Sequence, residues 1–368
     1  MRVDVVDPSA YTPPYDHALC SALALAGAEV RLLTSRFAYD EVPAPNGYAR
    51  EELFYRRAPG APGSRARAAA KLATHVPDML RYRRLARAAE VVHFQWLPVQ
   101  QLDVRLLPRE RPLVLSAHDV LPREPRLGQV RAQRRLYRAV DAVIVHSEYG
   151  RRRLVEDVGV DPAKVHVVHH GAFEHLTRPP VERELPAELR AVRRPVVLFF
   201  GLLRPYKGVE ALLDAWRGID DAELWIVGRP MMPLKPLIAT APPGVRFISR
   251  FVPDAELPAY FRRADVVVLP YRRTERFDQS GVLFTALAFA RPVLLTDIGG
   301  FAELADAGAA RLVPPDDPAA LHEALAKLVS DGGARARLEL GARAAANGAY
   351  SWRQAARHTL AVYRALLS

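Results

Sequence analysis

The sequence predicts two doubly wound α/β domains, each with a parallel, Rossmann-like sheet. Short β-branched runs alternate with longer helical stretches along all 368 residues, which is typical of a parallel sheet covered by helices. A chain of this length is also too long for a typical single core. Proline and charge are concentrated in residues 178–190, between two series of strands. We therefore expect an N-terminal domain over residues 1–177, a linker over 178–190 and a C-terminal domain over 191–350.

The N-terminal domain is predicted from short apolar runs and from stretches with apolar residues at helical spacing. The predicted strands are residues 2–7, 29–34, 91–96, 112–117, 142–146 and 165–169. The predicted helices are residues 15–26, 65–89 and 131–140. Ligands of doubly wound sheets bind outside the carboxyl ends of the strands, so the loops that follow these strands are candidate sites.

The C-terminal domain repeats the same alternation. Its predicted strands are residues 196–201, 222–227, 245–248, 266–270, 292–296 and 310–313. Its predicted helices are residues 209–216, 282–290, 318–330 and 333–347. A last helix lies within residues 351–368 and starts with the N-cap candidate Ser351. We expect this helix to pack back on the N-terminal domain.

The composition is strongly basic. Lysine and arginine number 52 against 41 acidic residues, which gives a net charge of +11. Such a charge favours nucleic acid, anionic lipid or a phosphorylated small substrate as partner. We expect no nucleic acid, because the basic residues are not interleaved with aromatic ones and no known module is recognisable.

The sequence lacks membrane-spanning and secretory signals. The longest apolar runs, residues 195–203 and 265–271, have the length of a strand and are far too short to span a bilayer. The N-terminus opens into a strand pattern rather than a signal peptide. We therefore expect a cytoplasmic protein. Its one cysteine, Cys20, excludes an internal disulfide and a zinc site built on several thiolates.

The most informative loop follows the predicted strand 196–201. It reads Gly-Leu-Leu-Arg-Pro-Tyr-Lys-Gly over residues 201–208. Gly201 allows a sharp turn after the strand. Arg204 and Lys207 are cations suited to neutralise a diphosphate and to stabilise it as it leaves. The alternative is that both cations only solvate a loop.

Two further loops offer backbone N–H groups to an anion. Ser280 and Gly281 stand at the start of a predicted helix, where glycine lets a phosphate approach the N–H groups closely. The same pair is also an ordinary helix start. The turn after the predicted strand 292–296 contains Gly299, Gly300, Phe301 and Glu303. Its backbone amides are candidates for contact with the sugar attached to the diphosphate, with Glu303 starting the next helix.

The order of these three segments resembles the C-terminal domain of GT-B glycosyltransferases, closest to the family 4 type of group 1. That family binds a nucleotide sugar through a G-R-L-x-x-x-K-G loop and an E-x7-E segment. Gly201, Lys207 and Gly208 match the loop residue by residue. The resemblance spans essentially the whole chain. It implies a GT-B fold with two Rossmann-like domains facing a cleft, an acceptor site in the first domain and a donor site in the second.

The sequence departs from the family pattern at both motifs. The family's arginine after the first glycine is Leu202 here, and Arg204 is its expected substitute. The second glutamate of E-x7-E, which holds ribose hydroxyls in the family, is Thr285, and the first falls on Phe277. The acidic neighbours of Phe277 are Glu275 and Asp278. We keep Asp278 and Thr285 as donor-binding candidates.

The N-terminal half carries weaker candidates. Tyr15 and Asp16 follow the first predicted strand, where the GT-B fold usually receives the acceptor. Asp16 is alternatively an ordinary acid of the first helical turn. His118 lies in a His-Asp turn that resembles one whose histidine contacts the donor sugar in the family, and it is our third catalytic candidate beside Arg204 and Lys207. Packing is the alternative role of His118.

No cofactor and no metal are expected. The sequence between the first strand and first helix contains no G-x-G-x-x-G, which argues against a nicotinamide or flavin enzyme. The histidines around the sixth predicted strand are His166, His169 and His170. No acidic residue or further histidine completes a metal-ligand set with them.

A basic stretch runs from Arg65 to Arg87. It holds seven cations and one acid, Asp78, and is interrupted by Pro77. It resembles the helices with which membrane-associated GT-B enzymes contact anionic lipid, where each cation contributes about 1 kcal/mol. The alternative is a solvated arginine face.

These observations predict a metal-independent transferase that moves a sugar from a UDP- or GDP-sugar to an alcohol acceptor such as a glycan, a lipid-linked sugar or a natural product. The family 4 pattern implies retention of anomeric configuration. A related subset with an I-R-P-Y-K loop and an S-G helix start leaves inversion open. The alternatives are a nucleotide-sugar-binding partner protein with impaired catalysis and a GT-B sugar-nucleotide epimerase.

Overall fold

The computed structural model describes residues 1–61, 63–122, 125–274 and 279–368. The chain divides into two compact units. The first is Met1–Gly171 together with Trp352–Ser368, and the second is Ala172–Ser351. Within the described residues, no helix combines the length and the apolar character needed to cross a bilayer.

The first unit contains a sheet of seven parallel strands. The strands are β1 (Arg2–Asp7), β2 (Glu29–Ser35), β3 (Ala49–Phe54), β4 (Val91–Phe94), β5 (Leu113–Ser116), β6 (Ala142–Val145) and β7 (Val165–Val167). The helices between them are α1 (Pro13–Leu25), α2 (Arg65–Leu85), α3 (Gln100–Leu106), α4 (Gln129–Ala139) and α5 (Glu148–Arg153). The strand order is β3-β2-β1-β4-β5-β6-β7, so the direction of winding reverses between β1 and β4.

The second unit contains a sheet of six parallel strands. The strands are β8 (Val196–Phe200), β9 (Glu223–Val227), β10 (Val245–Ile248), β11 (Val266–Leu269), β12 (Val293–Thr296) and β13 (Ala310–Val313). The helices are α6 (Ala187–Arg190), α7 (Val209–Trp216), α8 (Lys235–Ala239), α9 (Leu257–Arg263), α10 (Gly281–Ala288), α11 (Ala302–Asp306), α12 (Pro318–Ser330) and α13 (Gly332–Asn347). The order β10-β9-β8-β11-β12-β13 reverses its winding between β8 and β11.

The central strands are buried on both faces, as their unbroken apolar sequences require. Every residue of β4, β5, β6, β9, β11 and β12 is buried. The core of the second unit includes Trp216 and Leu212 of α7 and Leu325 of α12, none of which is exposed to solvent. Helices therefore cover the sheet with their apolar faces.

The last helix, α14 (Trp352–Leu367), belongs to the first unit. The hydroxyl of Tyr363 lies 2.6 Å from Nδ1 of His93 on β4. The ring of Trp352 lies against Gly171, where an added Cβ would come within 2.5 Å of the indole.

Two features differ from the sequence expectations. β3 was missed because it is an edge strand whose sequence, Ala-Arg-Glu-Glu-Leu-Phe, contains three consecutive charged residues. α2 passes through Pro77 without a break. The carbonyl that loses its hydrogen bond to Pro77 is that of Ala73, and both residues are exposed, so water can satisfy it.

The boundary between the units also lies earlier than residue 177. Residues 172–177 join the second unit, where the N–H of Phe173 donates to the carbonyl of Phe284. The expected linker over 178–190 packs on the same unit. Arg183 N–H donates to Ala255 O at 2.8 Å, and α6 forms at its end.

Candidate functional site

Three loops of the second unit meet at the carboxyl ends of neighbouring strands. They follow β8, β11 and β12, which are adjacent in the sheet. The reversal of winding between β8 and β11 leaves a crevice at this point in doubly wound folds, and ligands bind there. The loops contain the candidates Gly201 to Lys207, Ser280 and Gly281, and Gly299 to Phe301.

The first loop buries a lysine. Gly201 has a φ of +109°, and a Cβ at this position would lie 3.0 Å from Nζ of Lys207. Lys207 is 7% exposed. Gly208 has a φ of +73°, and its missing Cβ makes room for the carbonyl of Pro270, which would otherwise lie 1.9 Å away. The two glycines therefore hold the ammonium group against the end of β8.

The ammonium of Lys207 lies beside the N-terminus of α10. A Cβ added to Gly201 would lie 3.0 Å from Nζ of Lys207. It would also lie 3.1 Å from Cγ2 of Val282, which is in the first turn of α10. The first N–H groups of a helix have no partner inside it and carry a partial positive charge. A buried ammonium next to such a terminus favours an anion between them.

Tyr271, which the sequence analysis missed, connects the three loops. It is 1% exposed, and its hydroxyl lies 3.0 Å from Oγ of Ser280. Nζ of Lys207 lies 5.3 Å from the centre of its ring. The ring also contacts Tyr206 at 5.8 Å and Phe301 at 5.7 Å, measured between ring centres. Its place at the end of a buried strand, next to a proline, was the signal in the sequence.

The hydroxyl groups of Ser280 and Thr285 make hydrogen bonds that the sequence did not predict. The hydroxyl of Ser280 makes no capping bond to α10 and pairs instead with Tyr271. The hydroxyl of Thr285 donates to the carbonyl of Gly281 at 3.0 Å, inside the helix. Thr285 is buried, so this short side chain does not reproduce the long carboxylate that the family pattern has there.

The third loop is fixed by Gln279. Its Nε2 donates to the carbonyl of Gly300 at 3.3 Å, which joins the start of α10 to the turn after β12. Gly299 has a φ of +57°, and Phe301 is buried. Glu303 is half-buried in the first turn of α11.

Arg204 is the last donor-side candidate within the part of the chain that the structure describes. Arg204 is half-buried on the loop after β8, and Leu202 is exposed. Asp278, Phe277 and Glu275 lie outside the described residues.

In the first unit, Asp7 and Asp16 form a buried pair at the carboxyl end of β1. Three backbone N–H groups, from Ser9, Tyr11 and Thr12, donate to the carboxylate of Asp7. The two carboxyl groups are hydrogen-bonded to each other, and burial raises both pKa values, that of Asp16 well above its usual range. Asp7 is therefore the ionised member and Asp16 the protonated one.

His118 and Tyr15 belong to a cluster of aromatic rings in the same unit. The ring of His118 stacks on Trp96 at 4.9 Å and meets the edge of Tyr15 at 4.6 Å. Burial, and then the nearby His146, hold the pKa of His118 well below its usual range. Its Nε2 lies 3.1 Å from Oε1 of Gln95. His118 is consequently a neutral hydrogen-bonding group rather than a cation.

The other histidines make local bonds. Nδ1 of His146 donates to the carbonyl of Val168 at 2.9 Å, and Nδ1 of His170 donates to that of Gly171 at 2.7 Å. Nδ1 of His169 donates to the carbonyl of His146 at 3.3 Å. Among the described residues, no three histidine, cysteine or acidic side chains are grouped as metal ligands.

Comparison with known proteins identifies the family. The profile described as "Glycosyltransferase Family 4" matches residues 15–172, and the one described as "Glycosyl transferases group 1" matches residues 194–331. D-inositol 3-phosphate glycosyltransferase from Xylanimonas cellulosilytica is 31% identical over 291 residues, which are 73% of this chain and 68% of that protein. The chain belongs to the group 1 glycosyltransferases. The sequence prediction of a group 1 glycosyltransferase is therefore confirmed.

A second relative and a solved structure are also similar to this glycosyltransferase. GDP-mannose:glycolipid 4-beta-D-mannosyltransferase from Xanthomonas campestris pv. campestris is 34% identical over 192 residues, 50% of this chain, and the match spans about half (49%) of that enzyme. The solved structure of HepE from Anabaena, in complex with UDP and glucose, covers 99% of this chain and 100% of its own, with a TM-score of 0.74 and 18% identity. That likeness, together with the two parallel sheets, confirms the GT-B fold.

Proposed function

We propose that this chain transfers a sugar from a UDP- or GDP-sugar to an uncharged alcohol acceptor, such as a glycan, a lipid-linked sugar or a natural product. The diphosphate lies between Lys207, Arg204 and the N-terminus of α10. The observation that carries the proposal is the buried ammonium of Lys207 beside that helix terminus. Gly299, Gly300 and Phe301 hold the sugar next to it.

The chemistry of the step is electrostatic. As the bond between the sugar and the diphosphate breaks, negative charge accumulates on the departing diphosphate. A cation that is already desolvated and fixed stabilises that charge without reorganising. Lys207 and the dipole of α10 meet this condition, and Arg204 adds a second cation. We propose that the reaction needs no divalent ion and proceeds with retention.

We propose UDP or GDP because two proteins similar to this chain differ in their nucleotide. HepE was solved with UDP, and the mannosyltransferase is named for GDP-mannose. The second unit of this chain presents charge and backbone amides to the phosphates. UDP and GDP have the same diphosphate, so these contacts suit both nucleotides.

In the first unit, the protonated acceptor-side candidate Asp16 and the neutral catalytic candidate His118 provide hydrogen bonds rather than charge. Tyr15 packs its ring against His118 and lies in the same buried cluster. A site of this character favours an alcohol over a phosphate or a carboxylate, because neither candidate carries a positive charge.

We further propose that the protein works in the cytoplasm at an anionic membrane surface through α2. This helix exposes Leu72 and Leu80, which are 55% and 43% exposed, and it exposes Arg81, Arg83 and Arg84 in its last two turns. Apolar and cationic groups on one helix match the interface of an anionic bilayer. Sedimentation with phosphatidylglycerol vesicles should fall in the double variant Arg81→Glu/Arg84→Glu and not in Arg357→Glu, an exposed arginine of α14. Equal binding of all three proteins contradicts the membrane proposal.

The donor proposal is tested with Lys207→Met. Thermal shifts are measured with UDP, GDP, ADP and dTDP, because a bound ligand stabilises the folded state. We expect the wild type to be stabilised by UDP or GDP, and Lys207→Met to lose that shift and its transferase activity. Lys235→Met, which changes an exposed lysine of the same unit, is the control. A full shift and full turnover in Lys207→Met rule out the anion site.

One observation supports a second candidate, a nucleotide-sugar-binding partner with impaired catalysis. The hydroxyl of Thr285 is bonded inside α10 and does not replace a glutamate. Incubation with UDP- or GDP-sugars separates the two functions. Release of nucleoside diphosphate at any rate above the Lys207→Met background favours the transferase.

A further inference from the structure

A small cavity opens at the carboxyl end of β2 in the first unit. Its polar lining includes Asp16 of α1, Ser35 at the end of β2, and Arg50 and Glu52 of β3. Its inner volume is about 10 Å³, which is the room that one water-sized group needs. Phe37 and Val42 form part of the apolar wall.

Two residues that line this cavity each carry a buried oxygen atom without a hydrogen-bond partner. These atoms are Oδ1 of Asp16 and Oγ of Ser35. Asp16 is 1% exposed and Ser35 is 4% exposed, so solvent reaches neither side chain freely. Buried polar atoms are nearly always hydrogen-bonded in folded proteins. Two such atoms on one cavity therefore indicate an occupant that supplies the missing bonds.

The charge of the lining determines whether the cavity favours a charged or an uncharged group. Asp16 is protonated and bonded to Asp7, so that Oδ1 is a neutral acceptor. Oγ of Ser35 both donates and accepts. Arg50 and Glu52 are alternate residues of β3, point to the same face of the sheet and cancel in charge. A phosphate or carboxylate has no net attraction here, whereas a hydroxyl group matches both oxygens.

We propose that this cavity is a subsite for an uncharged polyol, of which one hydroxyl enters the cavity and bonds to Asp16 Oδ1 and Ser35 Oγ. The rest of the ring lies at the rim, where Arg50 and Glu52 bond to further hydroxyls and Phe37 covers an apolar ring face. The inference rests on the proposed function in one respect: the polyol is the acceptor alcohol of the transfer reaction.

Binding of the polyol is measured without turnover. Ligand-detected NMR is recorded on the full chain with myo-inositol, methyl α-mannoside and methyl α-glucoside as probes. We expect at least one of these to bind the wild type. Ser35→Val removes the hydroxyl and fills the cavity, and should abolish the signal. Ser35→Ala should weaken the binding about tenfold, the effect of one lost hydrogen bond.

The control is Ser21→Ala. Oγ of Ser21, on α1, is also a buried oxygen without a partner, but Ser21 does not line the cavity. We expect Ser21→Ala to bind the probes like the wild type. The subsite is refuted if no probe binds, if Ser35→Val binds normally, or if inorganic phosphate displaces the polyol.

The same samples separate this inference from the donor proposal. Thermal shifts with UDP and GDP report on Lys207 in the other unit and should be unchanged in Ser35→Val. A nucleotide shift without polyol binding overturns the subsite and leaves the donor site standing. Polyol binding that depends on Ser35, without any nucleotide shift, contradicts the donor site and supports the subsite as a binding site alone.

Discussion

Two buried histidines of the first unit make its stability depend on pH. Burial lowers the pKa of His93 to about 3 and that of His146 to about 4, from an ordinary value of 6.5. In the unfolded chain both imidazoles take up a proton below pH 6.5, while in the folded unit they stay neutral down to their lowered pKa values. The free energy of unfolding contributed by each is therefore complete above pH 6.5 and is lost as the pH falls.

The magnitude follows from these values. Between pH 7 and pH 5 the unfolded state gains about three-quarters of a proton per histidine, and the folded state gains almost none. The loss is about 2 kcal/mol for each histidine and about 4 kcal/mol for the two. Asp16 acts in the opposite direction, because its raised pKa makes the folded state bind a proton that the unfolded state has released. A comparison of variants is needed to remove that contribution.

The test compares the wild type with His146→Gln at pH 7 and pH 5. Glutamine retains an N–H donor in its side chain but does not titrate. Urea unfolding is followed by hydrogen exchange and mass spectrometry on peptides from β4 and β6, so that the first unit is read separately. We expect the variant to lose about 2 kcal/mol less than the wild type over this range. His358→Gln, which changes an exposed histidine of α14, should behave like the wild type. Equal losses in wild type and His146→Gln refute the reasoning.

Three further outcomes are expected. Gly208→Ala should abolish the nucleotide-induced thermal shift, because the new Cβ would lie 1.9 Å from the carbonyl of Pro270, and an unchanged shift contradicts that steric argument. Tyr271→Phe removes the hydroxyl that pairs with Ser280, and it should weaken UDP or GDP binding about fivefold while the protein stays folded, as measured by calorimetry. EDTA should leave the initial rate of transfer unchanged, and a rate that returns only when Mg²⁺ is added overturns the metal-independent mechanism.

The fold was largely predictable because its strands are buried on both faces. Runs such as Val-Val-Val-Leu at β11 are apolar without interruption, and few other structures accommodate them. The edge strand β3 was not predictable, since Arg50, Glu51 and Glu52 face solvent or the cavity and carry no apolar signal. The profiles of related proteins and the solved structures confirm the family and the fold.

The candidate site was predictable in its glycines and its lysine. The sequence predicts Gly201, Lys207 and Gly208 in a turn after a strand, and they lie in such a turn after β8. Tyr271 was not found, because its role depends on the approach of two loops that are distant in sequence. The orphan oxygens of Asp16 and Ser35 could not be found either, since a missing hydrogen bond is a property of three-dimensional packing.

The position of α14 has a consequence for synthesis on the ribosome. The chain emerges from its N-terminus, so the strands of the first unit are complete long before the helix that covers them is made. Until residues 352–367 have been synthesised, His93 lacks its hydrogen bond to Tyr363. The ring of Trp352 does not yet pack against Gly171. The second unit, Ala172–Ser351, needs no later segment of the chain, because it is continuous in sequence. Its ends are joined by the hydrogen bond from Ala172 N–H to Tyr350 O. We therefore expect the half that is translated first to finish folding last.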